Sequence, residues 1–246
     1  MKFRVRTIVN FAACVLILVL LTTFCLSFKT KIAYDFFNDK IELNTEDNDE
    51  ISVMTYNIRC INNEVDKGER SWFNRAFLIA KLLNEKKPSI ICFQEVKEEQ
   101  LRFLKNFLEG YECVYEFRDN TNLKECNPIF FRSSKYTLES SQTFWLSDTP
   151  ERRSNSWGLT YHRICTMAVL KDKITERSFT VASTHLDMLS LETQARSINL
   201  INQKLQSKNL PALLMGDFNC VPNTQAIHKA NETMETLELA LKTKTQ

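Results

Sequence analysis

Leu213-Leu214-Met215-Gly216-Asp217-Phe218-Asn219 is an apolar run that stops abruptly in Gly-Asp-x-Asn. A short apolar run of this kind predicts a buried strand. Its C-terminal tip delivers a carboxylate and a carboxamide. Three other strand-like runs end the same way. Residues 51–56 lead to Asn57, residues 89–94 to Glu95, and residues 179–184 to His185, with Asp187 just beyond. Four buried strands ending in Asn, Glu, His and Asp/Asn predict one cluster of oxygen donors with one imidazole. Such a cluster suits a hard divalent cation and general acid–base chemistry. Each residue also has a plain structural reading. Asp217 and Asn219 suit a turn or a helix cap, Glu95 the first turn of the next helix, Asn57 a turn, and His185 an interior site. All of them at the ends of buried strands point to function.

Helical spacing predicts helices over 71–86, 97–108, 191–206 and 224–241. In the first, Phe73, Phe77, Ala80 and Leu82 or Leu83 share a face, and Pro88 marks its end. Leu101, Leu104 and Leu108 are the buried set of the second, which Gly110 stops. Leu191, Ala195, Ile198, Ile201 and Leu205 recur on one face of the third. Residues 111–117, 128–132, 136–146 and 163–170 read as a second, more alternating set of strands. The long loop 147–161 between the last two carries Arg152, Arg153, Trp157 and Gly158. Strands and helices alternate, yet several strands come in consecutive hairpins. Two packed sheets with helices outside fit this better than one doubly wound sheet.

The chain has 246 residues and a formal net charge of +2. That charge argues against coating nucleic acid by charge alone and leaves room for a local basic groove. Eight cysteines show neither C-x-x-C nor zinc spacing. Cys92 and Cys165 sit in strand runs and read as buried apolar residues. Pairing among the others is expected only in an oxidising compartment. Lys2, Arg4 and Arg6 precede an apolar run over 8–28. Its length predicts a signal anchor, with a cleaved signal peptide and secretion as the alternative. Residues 1–30 are thus a basic tail and membrane segment, and 31–50 an acidic linker. Residues 51–246 are the domain, expected on the extracytoplasmic side of a single-pass membrane protein.

The pieces Met54-Thr-Tyr-Asn57-Ile-Arg59, Phe93-Gln-Glu95-Val96, Ser183-Thr-His185-Leu-Asp187 and Gly216-Asp217-Phe-Asn219 resemble the motifs of the endonuclease/exonuclease/phosphatase, or DNase I-like, superfamily. The resemblance covers about 51–225 in the right order. It implies a four-layer αββα sandwich, two mixed sheets face to face with outer helices. It also implies Mg²⁺ or Mn²⁺ and phosphoester hydrolysis by direct water attack. By motif, Asn57 and Glu95 look like metal-site residues. Asp217 and Asn219 look like the pair that orients the attacking water, and His185 like a catalytic histidine on phosphate. Arg59, Arg163 and Asp187 are weaker substrate or phosphate candidates. The superfamily's closing Ser-Asp-His motif does not occur in this sequence, so the last strands are expected to be missing.

The leading expectation is a metal-dependent phosphoesterase acting on a phosphoester substrate. Nucleic acid is the favoured class, taken by a nuclease that can be a 3′–5′ exonuclease. A phospholipid or inositol-phosphate head group is the alternative substrate. A catalytically impaired remnant acting as a binding module is the alternative outside enzymes.

Overall fold

The computed structural model describes residues 51–122 and 124–235. The expected membrane segment, the acidic linker and residues 236–246 lie outside the described residues, and the last described helix stops at Asn231, short of the expected end. Among the described residues no helix is long and apolar enough to cross a membrane.

The described residues form strands β1 (Val53–Asn57), β2 (Ile90–Gln94), β3 (Tyr111–Val114), β4 (Ile129–Arg132), β5 (Tyr136–Trp145), β6 (Ile164–Asp172), β7 (Ser178–His185) and β8 (Ala212–Asp217). The helices are α1 (Trp72–Lys86), α2 (Glu98–Phe107), α3 (Leu191–Gln206) and α4 (Gln225–Asn231). The strands make two mixed sheets, ordered β1-β2-β4-β3 and β5-β6-β7-β8. In each sheet one pair is parallel, β1 with β2 and β7 with β8, and the other pairings are antiparallel. Across the sandwich β1 lies against β8 and β2 against β7.

The period of two along each strand separates two cores. Ile90 and Cys92 of β2, Ile129 and Phe131 of β4, Ala168 and Leu170 of β6, and Phe179 and Val181 of β7 meet between the sheets. The alternate positions Cys165, Met167 and Ala182 turn outward, where Ile198, Ile201 and Leu205 of α3 and Ala226 and Ala230 of α4 cover them. Fully burying one Ile or Phe contributes roughly 2 kcal/mol, so this double coverage accounts for the unbroken apolar character of β6 and β7. Cys92 and Cys165 are fully buried, as their strand positions imply. The six described cysteines are all free thiols.

Helix ends follow local chemistry. Lys87 closes α1 in the left-handed region at φ 42°, its amide bonded to the Leu83 carbonyl, and Pro88 cannot continue the helix. The Gln100 side chain accepts the Lys97 amide at 3.1 Å at the start of α2. Ser190 Oγ accepts the Thr193 amide at 3.2 Å at the start of α3. The face of α1 differs from the expected one. It buries Ala76, Ile79, Ala80 and Leu83, while Phe73 and Phe77 are 53% and 36% exposed. The two stripes are rotated by roughly 60° from one another. The buried one carries small alanines, which let a helix approach its neighbours closely. Leu191, expected in the core, is exposed at the first turn of α3. The strand expected over 111–117 ends at Val114, with Phe117 bridging to Cys126.

Gly216 is where the sheet demands glycine. Its φ is 154°, and a Cβ there would stand 2.1 Å from the carbonyl oxygen of Thr184 on β7. No side chain can be accommodated without prising β8 from β7. Gly216→Ala is expected to lower stability by about 3 kcal/mol or more, read as a fall in the urea midpoint at unchanged slope.

Candidate active site

Strand ends assemble the site. Register places Asn57 beside Gln94 in one sheet and His185 beside Asp217 in the other. Each parallel ladder runs one step further. The Ile58 amide reaches the Gln94 carbonyl at 3.2 Å, and the Leu186 amide reaches the Asp217 carbonyl at 2.9 Å. The packing of β1 on β8 then brings Asn57 onto Asp217.

Asn57 is the centre. Its Nδ2 donates to Glu95 Oε1 at 2.8 Å and to Asp217 Oδ2 at 3.0 Å. Its Oδ1 accepts the Arg59 amide at 2.9 Å. Glu95 Oε2 accepts the Cys60 amide at 3.0 Å, and Asp217 Oδ1 accepts the Asn219 amide at 2.9 Å. Both carboxyls lie below their ordinary pKa. Burial acts upward on each and is outweighed by the Asn57 amide together with the backbone amide of Cys60 or Asn219. Two ionised carboxylates therefore face each other across one carboxamide.

His185 is buried beside this pair, with Nε2 3.9 Å from Asp217 Oδ2. Asn219 Nδ2 donates to the Leu186 carbonyl at 3.0 Å and lies 2.9 Å from His185 Nε2. The carbonyl fixes which end of the carboxamide is NH₂, so Nε2 accepts and the imidazole carries its proton on Nδ1. Burial, with the nearby Arg163 guanidinium, lowers the His185 pKa to about 4 against the opposing pull of Asp217 and Glu95. Three non-glycine residues at the site have left-handed backbones: Arg59 at φ 57°, Glu95 at 60° and Asn219 at 49°. Such conformations cost on the order of 1 kcal/mol each and collect at functional sites.

The structure thus brings together Asn57, Glu95, His185, Asp217 and Asn219. The weaker candidates have other engagements. Arg59 is gripped by the buried Asp66, with Nη2 to Oδ1 at 2.9 Å, and Arg75 shares that carboxylate at 3.2 Å. Asp187 Oδ2 accepts the amides of Leu189 and Ser190 and so anchors the approach to α3. Its Oδ1 lies 3.9 Å from Arg163 Nη2. In the loop 147–161, Trp157 donates to Asp148 Oδ1 at 2.7 Å and packs on the outer core. Arg153 lies over the Trp145 ring and 3.5 Å from Glu116.

Sequence reading missed Arg118, Glu125 and Asn127. All three are buried. Arg118 pairs with Glu125 at 2.9 Å and Asp119 at 3.4 Å and sits next to Arg163. They lie in an aperiodic polar segment between apolar strands, where nothing local separates a buried ion pair from a solvated one. Asn57 also differs from the expected oxygen ligand, because it turns its NH₂ to the carboxylates. Among the described residues no group of three or more His, Cys, Asp and Glu is gathered as a metal cage. Two ionised carboxylates and a carboxamide are nonetheless hard oxygen donors of the type that suits Mg²⁺ or Mn²⁺.

The profile of the Endonuclease/Exonuclease/phosphatase family matches residues 54–236. The chain belongs to this family. Among its relatives, protein angel homolog 2 of Bos taurus is 28% identical over 221 residues, covering 79% of this chain and 39% of that protein. Uncharacterized protein L388 of Acanthamoeba polyphaga mimivirus is 28% identical over 165 residues, 60% of this chain and 59% of that protein. The chain therefore spans less than two thirds of either. A solved family structure, the mannosyl-6-phosphatase of Bacteroides thetaiotaomicron, is 30% identical with TM-score 0.70, covering 74% of this chain and 70% of that one.

The buried His185 sets a pH signature. The folded state binds the His185 proton less tightly than the unfolded chain, whose imidazole titrates near 6.5. Stability is fully present above pH 6.5 and falls as pH drops toward 4, by at most about 3 kcal/mol. The carboxylate contributions begin to fade below about pH 5, where the unfolded Glu95 and Asp217 side chains start to take up protons. Chemical denaturation across about pH 5–7 is expected to show the upper part of the His185 slope, and His185→Gln to flatten it there.

Proposed function

We propose that the chain is a divalent-metal-dependent phosphoesterase. The observation that carries this reading is the pair of ionised carboxylates, Glu95 and Asp217, held on either side of Asn57 beside a neutral His185. Family membership supports it, as do the relative that is a mannosyl-6-phosphatase and the fold likeness to ANGEL2, a 2′,3′-cyclic phosphatase.

Glu95, whose Oε1 and Oε2 are both fixed, would hold the cation, with Asp217 close across the amide. Asn57 would join through its carboxamide oxygen after turning over. When bound, the cation supplies positive charge to the phosphoryl oxygens and to the leaving oxygen.

The remaining chemistry belongs to the chain. The Asp217 side chain keeps 32% of its surface exposed, so its carboxylate can meet a water. Its two oxygens are oriented by Asn57 and by the Asn219 amide, which fixes the direction from which it takes the proton. The water oxygen bonds to phosphorus, the bond from phosphorus to the leaving oxygen breaks, and Asp217 receives the water's proton. The leaving oxygen departs as an alkoxide and takes a proton from solvent to become the alcohol, and the other product is a phosphate with one fewer ester link. His185 offers Nδ1–H as a neutral donor to a non-bridging oxygen. Asn219 holds Nε2 and thereby prevents the ring from turning.

Hydrolysis of a p-nitrophenyl phosphoester by the full chain is expected to need Mg²⁺ or Mn²⁺ and to stop in chelator. Asp217→Ala is expected to reduce kcat by about 10³-fold or more. Turnover untouched by both treatments would reject the reading.

A further inference from the structure

Two guanidiniums line one cleft beside His185, and they are paired unequally. Arg118 has Glu125 and Asp119. The Arg163 side chain is 7% exposed, its Nε has no hydrogen-bond partner, and its one ion pair among the described residues is Asp187 at 3.9 Å, outside hydrogen-bond reach. Asp187 does not close that gap, because its Oδ2 is bound by the amides that lead into α3. A buried charge without a close partner is costly to folding, and a protein that keeps one has a use for it.

Arg163 lines a cleft with Arg118, Glu125, Asn127, His162, Ile164 and His185, in which the Glu125 carboxylate is taken by Arg118 at 2.9 Å. The room in it is about 10 Å³, that of a single water-sized oxygen. An esterified carbon does not fit there. We infer that this cleft receives one terminal oxygen of a phosphate bound at the Glu95–Asp217–His185 cluster, and that Arg163 thereby selects dianionic phosphomonoesters over diesters.

The chemistry agrees with the geometry. A monoester dianion has three charged terminal oxygens. Two can serve the cation and His185 while the third enters the cleft and meets the guanidinium as a charge-assisted pair. A diester has an alkylated oxygen in that third place, which would leave Arg163 buried and unpaired next to carbon. The inference rests on the phosphoesterase reading for turnover, and on the cleft alone for binding.

The experiment compares wild type, R163Q and R163K on p-nitrophenyl phosphate and methyl p-nitrophenyl phosphate, which share a leaving group. The expected result is a loss of about 100-fold or more in kcat/KM on the monoester in R163Q, with less than about 3-fold on the diester. R163K should recover part of the monoester activity. Equal losses on both esters would overturn the inference. Thermal unfolding is read in parallel. R163Q is expected to melt at or above wild type, since it removes an uncompensated buried charge. Inorganic phosphate should raise the wild-type Tm and leave that of R163Q unmoved, while dimethyl phosphate moves neither. A marked fall in Tm for R163Q, or an equal phosphate shift in both proteins, would show a structural arginine and sink the inference. Absence of turnover on either ester with the phosphate shift intact would reject the phosphoesterase reading and leave the anion cleft standing.

Discussion

Asn57 gives one amide hydrogen to Glu95 and the other to Asp217, and those two bonds tie the sheets together at the edge where four strands end. Glu95 belongs to the first sheet and Asp217 to the second. Without the carboxamide between them, two like charges would meet and each would hold its proton more tightly. With it, both stay ionised. The same bonds require β1 to lie against β8, which requires β8 to lie flat on β7, which in turn requires glycine at position 216. The local chemistry of the cluster and the packing of the sandwich are therefore one constraint.

Around that constraint the chain accepts several costs. The backbones of Arg59, Glu95 and Asn219 are left-handed without being glycine, His185 is buried in its neutral form, and Arg163 is buried with no close counter-charge. None of these improves the fold by itself. Each places a group at the same edge: the Cys60 amide on Glu95, the Asn219 amide on Asp217, and the His185 and Arg163 side chains in the lining of one cleft. The buried Asp66, clamped between Arg59 and Arg75, fixes the loop from which two of these contacts come.

Much of this was legible in the residues. Four apolar runs that end in polar residues predicted one cluster, and the structure does bring Asn57, Glu95, His185 and Asp217 to one edge. Cys92 and Cys165 sit in apolar strand runs, and their thiols are buried as that position implies. Periodicity misjudged α1, because a helix with a broad apolar arc admits two stripes and the choice depends on what it packs against. It also misplaced Leu191, which falls at a helix end where the core does not reach. Arg118 and Glu125 were out of reach altogether, since their burial comes from loops folding over one another. The orientation of the Asn57 carboxamide was equally hidden, because the carboxylates that accept its amide hydrogens lie 38 and 160 residues away along the chain.

The central claim is that Glu95 and Asp217 together form a seat for one divalent cation. Titration of the protein with Mn²⁺, followed by the electron paramagnetic resonance of the free ion, tests it without any substrate. One bound Mn²⁺ per chain, with affinity falling about 10-fold or more in both Glu95→Gln and Asp217→Asn, is the predicted result. Binding of equal strength and number in wild type and both variants would contradict the account.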